Sequence, residues 1–169
     1  MTITRGGPLI AALAATLLLA ACSGPDPDDP GVTDGRASHW DENAGAPEAS
    51  AFMNVKAPRG ATEVKGAVQI NPQEDIYLLS FVTTEKNVER IAKDLLSDEP
   101  LKAKKVDFAP DGELFKHLGL AEPQTVKGAR SGGVCPSCVT DDRRKKVQWI
   151  DIYVQALKGD QARVYLKAF

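Results

Sequence analysis

The run Ile76-Tyr77-Leu78-Leu79-Ser80-Phe81-Val82 restricts this chain more than any other stretch, because large apolar residues occupy both parities of an extended segment. A strand with one wet face alternates, whereas a strand without alternation needs cover on both sides. The run therefore predicts a central strand of a sheet. Thr83-Thr84 ends it with side chains suited to capping a helix. Val88, Ile91, Ala92, Leu95 and Leu96 then recur at helical spacing, opposite Glu89, Arg90, Lys93 and Asp94. A helix follows, packed on a face of the sheet and ending near Ser97, before Asp98-Glu99-Pro100.

Other elements arrange themselves around this strand. Val64, Gly66, Val68 and Ile70 alternate with more polar neighbours and predict a preceding strand, ended by Asn71-Pro72. Leu101 to Phe108 reads as a short edge strand guarded by lysines, or as an extended connection. Asp111 to Leu118 predicts a short helix presenting Leu114, Phe115 and Leu118, with His117 at its side, and loop then dominates from Gly119 to Arg143. From Lys146 to Leu157, Val147, Trp149 and Tyr153 share one face and Ile150, Ile152, Val154 and Ala156 the other. Lys158-Gly159-Asp160 turns the chain, and Ala162 to Phe169 alternates back. This is a C-terminal β-hairpin. Together these predict an α+β fold: an antiparallel sheet with one main helix packed on a face. A parallel sheet would need helices between its last strands, and none fits there.

Residues 52–169, 118 in all, make one domain of ordinary size. From residue 22 to 51 the chain is instead rich in Pro, Gly, Asp and Ala and poor in large apolar residues. Such a composition cannot bury enough surface to offset its ordering entropy, so a disordered tether is expected. As a coil, Ser23 to Ala51 would reach roughly 30 Å. Charge divides at the same boundary: residues 22–51 carry seven acids and one base, and residues 52–169 carry 19 bases and 16 acids. The acids are Asp26, Asp28, Asp29, Asp34, Asp41, Glu42 and Glu48. Trp40, beside His39, is the aromatic exception, and it either packs back on the domain or serves a partner. No basic surface on the scale of a nucleic-acid footprint is present. The cluster Arg143-Arg144-Lys145-Lys146 follows Asp141-Asp142 and reads as a solvated loop, or as a contact for anionic headgroups or wall polymer.

The first 21 residues have the form of a secretory signal. Arg5 supplies positive charge, and Pro8 to Ala21 is apolar except for Thr16. At helical rise this run reaches only about 21 Å, against roughly 30 Å of hydrocarbon, which is short for a span. Its end, Leu19-Ala20-Ala21-Cys22, resembles the lipobox of bacterial lipoproteins. That resemblance implies a cut before Cys22, lipidation of Cys22 as the first mature residue, and an extracytoplasmic protein anchored in the cell membrane. Ser23 would permit outer-membrane sorting in a cell with two membranes. Mature lipoproteins carry more than one acyl chain, and one chain alone holds a protein only marginally. Pro58 to Val64 with the following strand and helix is also similar to small lipoproteins of high-GC Gram-positive bacteria, a likeness that implies no activity.

With Cys22 lipidated, Cys135-Pro136-Ser137-Cys138 holds the remaining cysteines. Outside the cytoplasm this spacing predicts a disulfide, whose loop is so short that it stabilises by only about 2 kcal/mol. The alternative is thiol-disulfide exchange at Cys135 and Cys138, since thioredoxin-like proteins share the spacing. Their motif opens a helix and faces a later proline, but here no helical pattern follows and no proline occurs after Pro136. A zinc site would have to recruit His39 or His117 as well, so no metal is expected. There is no G-x-S-x-G, no phosphate-binding glycine loop and no H-E-x-x-H, and acid pairs such as Glu85 with Glu89 are unspecific. Neither a catalytic constellation nor a cofactor is indicated. The expectation is a membrane-anchored binding or scaffolding domain for a protein, an envelope polymer or a small ligand, with the redox protein as alternative.

Overall fold

A computed structural model describes residues 37–95, 100–103 and 112–169. The leader, Cys22, Asp111 and the Lys104–Phe108 part of the possible edge strand lie outside these residues. Seven strands and two helices are described: β1 (His39–Gly45), α1 (Ala46–Met53), β2 (Thr62–Ile70), β3 (Ile76–Thr84), α2 (Glu85–Asp94), β4 (Lys102–Ala103), β5 (Arg130–Val134), β6 (Ile150–Ala156) and β7 (Gln161–Ala168). They form one sheet in the order β1-β2-β3-β7-β6-β5-β4, with every neighbouring pair antiparallel. The α+β expectation holds, and β6 and β7 form the terminal hairpin, closed by Leu157 N donating to Gln161 O at 2.8 Å.

β3 is central, as its composition requires. Residues Leu78 to Thr83 are buried without a break, and the Ser80 hydroxyl satisfies itself by donating to Val164 O at 2.9 Å. On the front face Leu79 and Phe81 of β3, Val164 and Leu166 of β7 and Ile150, Ile152 and Val154 of β6 pack under Ala49 and Met53 of α1, Val88 and Ile91 of α2 and Leu95 just after it. Thr84 caps α2, its hydroxyl accepting from Asn87 N at 3.4 Å. On the back face Leu78 and Tyr165 meet Phe115, whose ring stands edge-on to Tyr165 with centroids 5.2 Å apart. Leu114, Leu118 and Leu120 complete this cover. Lys65 Nζ ties it to β2 by donating to Leu118 O at 2.8 Å, and Glu122 Oε1 accepts from Lys116 N at 2.9 Å.

Several expectations need correction. The ordered domain starts before Phe52: His39–Met53 forms β1 and α1 and belongs to the same compact unit as the rest. Neither element has a strong apolar pattern, but Ala49 and Met53 fill the front core and Trp40 joins the back cluster, so tertiary packing overrides composition. A second helix therefore shares the front face with the expected one. Val64 leaves the alternation of β2. The pairing register slips between Thr62 and Lys65, where Glu63 adopts a positive φ of 50°, and this bulge turns Val64 outward to 45 % exposure. Phe115–Leu118 makes a single 3-10 turn instead of an α-helix. The predicted loop from Gly119 to Arg143 contains β5, whose Arg-Ser-Gly-Gly-Val carries little strand propensity and is held by five pairs to β6. β6 itself begins at Ile150, not Lys146.

Gly66 marks where α1 joins the sheet. A Cβ there would come within 2.5 Å of Ala46 Cα and 2.9 Å of Leu78 O, both backbone atoms with no freedom to yield. Gly66→Ala is therefore expected to destabilise the domain by about 3 kcal/mol through overpacking, read as a lower urea midpoint with an unchanged slope. A change below about 0.5 kcal/mol would contradict the observed α1–β2 approach.

Candidate functional site: a cavity at the end of the sheet

The β2–β3 turn is built by its own polar groups. Asn71 N donates to Asp75 Oδ1 at 3.1 Å, and Asn71 Nδ2 donates to Gln69 O at 3.1 Å. The turn, the end of β7 and Leu114 of the back cover surround a cavity of about 540 Å³, within the size range of small-ligand sites. Its polar lining comes from Ser38, Asn71, Gln73, Glu74 and Lys167, and its apolar lining from Pro72, Ile76, Leu114 and Phe169. Lys167 Nζ lies 3.0 Å from Asp151 Oδ2 and 5.9 Å from the centre of the Phe169 ring. The Asp151–Lys167 pair therefore brings little net charge to the wall. Glu74 Oε1 has no hydrogen-bond partner among the described residues. This arrangement fits a neutral or cationic polar molecule, and it holds no nucleophile–base pair.

Cys135 and Cys138 are joined as a disulfide with Cα atoms 5.2 Å apart. The bond closes a tight turn directly after β5: Cys138 N donates to Cys135 O at 3.0 Å and Asp141 N to Pro136 O at 2.9 Å. Cys138 is exposed and Cys135 half-buried, with Ser137 Oγ 3.3 Å from Cys135 Sγ. The motif opens no α-helix; only a 3-10 turn, Asp142–Arg144, follows. His117 does not approach it. Its ring stacks on Trp40 at 3.9 Å with 4° between the planes, so Trp40 packs back on the domain. Among the described residues no three His, Cys, Asp or Glu side chains converge as a metal site would need.

The expected solvated loop holds for Arg143, Lys145 and Lys146, which are exposed, and fails at Arg144, which is 1 % exposed. Its Nε donates to Met53 O at 2.8 Å and its Nη2 to Asn54 O at 3.1 Å, which binds the end of α1. Its Nη1 donates to Asp141 Oδ2 at 2.5 Å and Asp94 O at 3.2 Å, and its Nη2 to Asp94 Oδ2 at 2.6 Å, which binds the end of α2. Arg143 completes the network with Asp94 and Asp141. Hydrogen bonds from Arg143, then Arg144, overcome burial and hold the Asp141 carboxyl below its ordinary range. At Asp94 burial pulls upward most strongly, but the two arginines together still lower it. Four consecutive bases gave no sign of which one would turn inward; the only sequence signal was Asp141, three residues ahead. The network latches both helices to the chain leading into β6, and so holds the front of the sheet.

No protein-family model matches the chain, and neither a curated protein nor a solved structure matches it. Among the described residues no helix is long and apolar enough to cross a membrane.

Replacing Arg144 leaves the helix-end carbonyls of Met53, Asn54 and Asp94 without this donor and leaves Asp141 with Arg143 as its remaining arginine partner, so Arg144→Met is expected to cost about 3–5 kcal/mol in urea denaturation. The pH dependence has a definite sign. The folded Asp94 and Asp141 carboxyls titrate below their unfolded values, so the unfolded chain binds more protons as pH falls. Their contribution is complete above the ordinary carboxylate range and is lost as pH drops through the lowered folded values. The urea midpoint of the unaltered chain should fall on acidification below about pH 5, and more shallowly in Arg144→Met. Equal slopes would show that the network does not carry the acid sensitivity.

Proposed function

We propose that this protein is an extracytoplasmic lipoprotein, anchored in the membrane through Cys22, whose α+β domain works by binding a ligand in the cavity beside the β2–β3 turn. The anchoring part rests on Leu19-Ala20-Ala21-Cys22 at the end of a short apolar leader. The binding part rests on one observation: a 540 Å³ cavity where amide, hydroxyl and charged groups converge beside an aromatic ring. Partners of this kind are a small molecule, a protein segment or an envelope polymer that the tethered domain meets near the membrane. Nucleic acid is not among them.

A second reading, thiol-disulfide exchange through Cys135 and Cys138, is favoured by the exposure of Cys138 at the surface. It lacks the helix that usually lowers the pKa of an attacking thiol.

Mass spectrometry of the protein extracted from membranes tests the anchor: a mature N-terminus at Cys22 carrying acyl mass is expected, and an intact leader or an unmodified Cys22 would contradict it. The reduction potential of the disulfide separates binding from exchange. A value below about −300 mV is expected for a structural bond, and a more oxidising value would move the function to the cysteines.

A further inference from the structure

The wall of the cavity continues along the back face as an aromatic edge. Trp149 N donates to Phe169 O and Phe169 N to Trp149 O, both at 3.2 Å, so these residues extend the β6–β7 ladder one pair beyond Ile150 and Ala168. Ile150 and Ala168 face the front core, so their neighbours Trp149 and Phe169 stand together on the back, beside Asp151 and Lys167. Trp149 is 37 % exposed, one of two large apolar residues open to solvent among those described. It is nevertheless held in place. Its Nε1 donates to Asp151 Oδ1 at 2.8 Å, and its ring lies so close over Gly133 that a Cβ there would approach it to 2.5 Å. Gly133 pairs with Asp151 across β5 and β6, so the position without a side chain is the one that seats the indole.

We propose that this edge and the cavity together bind a carbohydrate chain; the proposal rests on the cavity being the binding site. A sugar offers C–H faces that pack on aromatic rings, and hydroxyls that each donate and accept. Trp149 and Phe169 supply the rings. Asn71, Gln73 and Ser38 supply side chains that donate and accept in turn. The charges argue against an anionic polymer: Lys167 is neutralised by Asp151, and Glu74 adds a carboxylate. A lipid tail would leave the amide, hydroxyl and carboxylate groups of Asn71, Gln73, Ser38 and Glu74 without partners at the wall. The fixed indole also lowers the ordering cost of binding, as a preorganised contact does.

The test uses the full chain with chitotetraose, cellotetraose and maltotetraose as probes, and tetra-alanine as a peptide control. The chain has two tryptophans, so Trp40→Phe leaves Trp149 as the reporter. At least one tetrasaccharide should shift its emission saturably, and calorimetry should find affinity roughly tenfold weaker in Trp149→Ala and in Gln73→Ala. Gln73 is exposed on the turn, so its replacement leaves the fold intact and its thermal midpoint checks this. Saccharide binding that both variants retain in full overturns the proposal. Binding of tetra-alanine alone, weakened by both substitutions, keeps the cavity as the site and overturns the carbohydrate assignment. No binding of any of the four overturns the carbohydrate assignment.

Discussion

Leu78 and Leu79 are adjacent on β3, point to opposite faces of the sheet and are both buried, at 0 % and 1 % exposure. Each face of that strand must therefore exclude water, and the rest of the molecule is arranged to do so. Two helices close the front. Among the described residues no regular α-helix covers the back, where Phe115, the leucines around it and the Trp40–His117 stack do the work. This requirement also explains why the ordered domain reaches back to His39: without β1 and its tryptophan the back of β2 and β3 would stay wet. Burying one large apolar side chain contributes about 1.5–3 kcal/mol, so a double-faced strand of this kind dominates the stability of a small domain.

Arg144 plays the complementary part at the rim. Helices as short as α1 and α2 gain little from their own hydrogen bonds and depend on docking. Their last carbonyls lie where the front core ends, and one guanidinium satisfies carbonyls from both while its charge is met by Asp94 and Asp141. A lysine has neither the fork nor the number of donors to do this. The disulfide sits just ahead of Asp141 and shortens the freedom of the turn that presents it.

Local pattern carried the elements whose own residues decide their fate. β3, the Thr84-capped helix and the hairpin were legible because apolar periodicity and turn chemistry agree there. β1, α1 and β5 were not, since their sequences are polar or glycine-rich and partners supply the stability: β2 and the front core for the first two, β6 for the third. Charge misled at Arg144, where burial is decided by carbonyls from Met53 and Asn54, some ninety residues earlier in the chain. The cavity was invisible for the same reason. Asn71, Leu114 and Phe169 become neighbours only through the fold. Cys135 and Cys138 were legible as a pair because their spacing alone allows the bond.

The proposed binding site lies where the cover stops. The back cluster protects the middle of β2, β3 and β7, and beyond it, at the turn and at the Trp149–Phe169 pair, polar and aromatic groups line open space instead of core. The sheet thus ends in an open rim. Native-state hydrogen exchange of the full chain measures this directly. Amides of Leu78–Val82 and Val164–Leu166 are predicted to exchange only through global unfolding, and those of Gln73, Glu74 and Gln148 through far smaller local openings. Fast local exchange in Leu78–Val82, at the rate of the turn, would mean that one face of β3 is uncovered and would contradict the account.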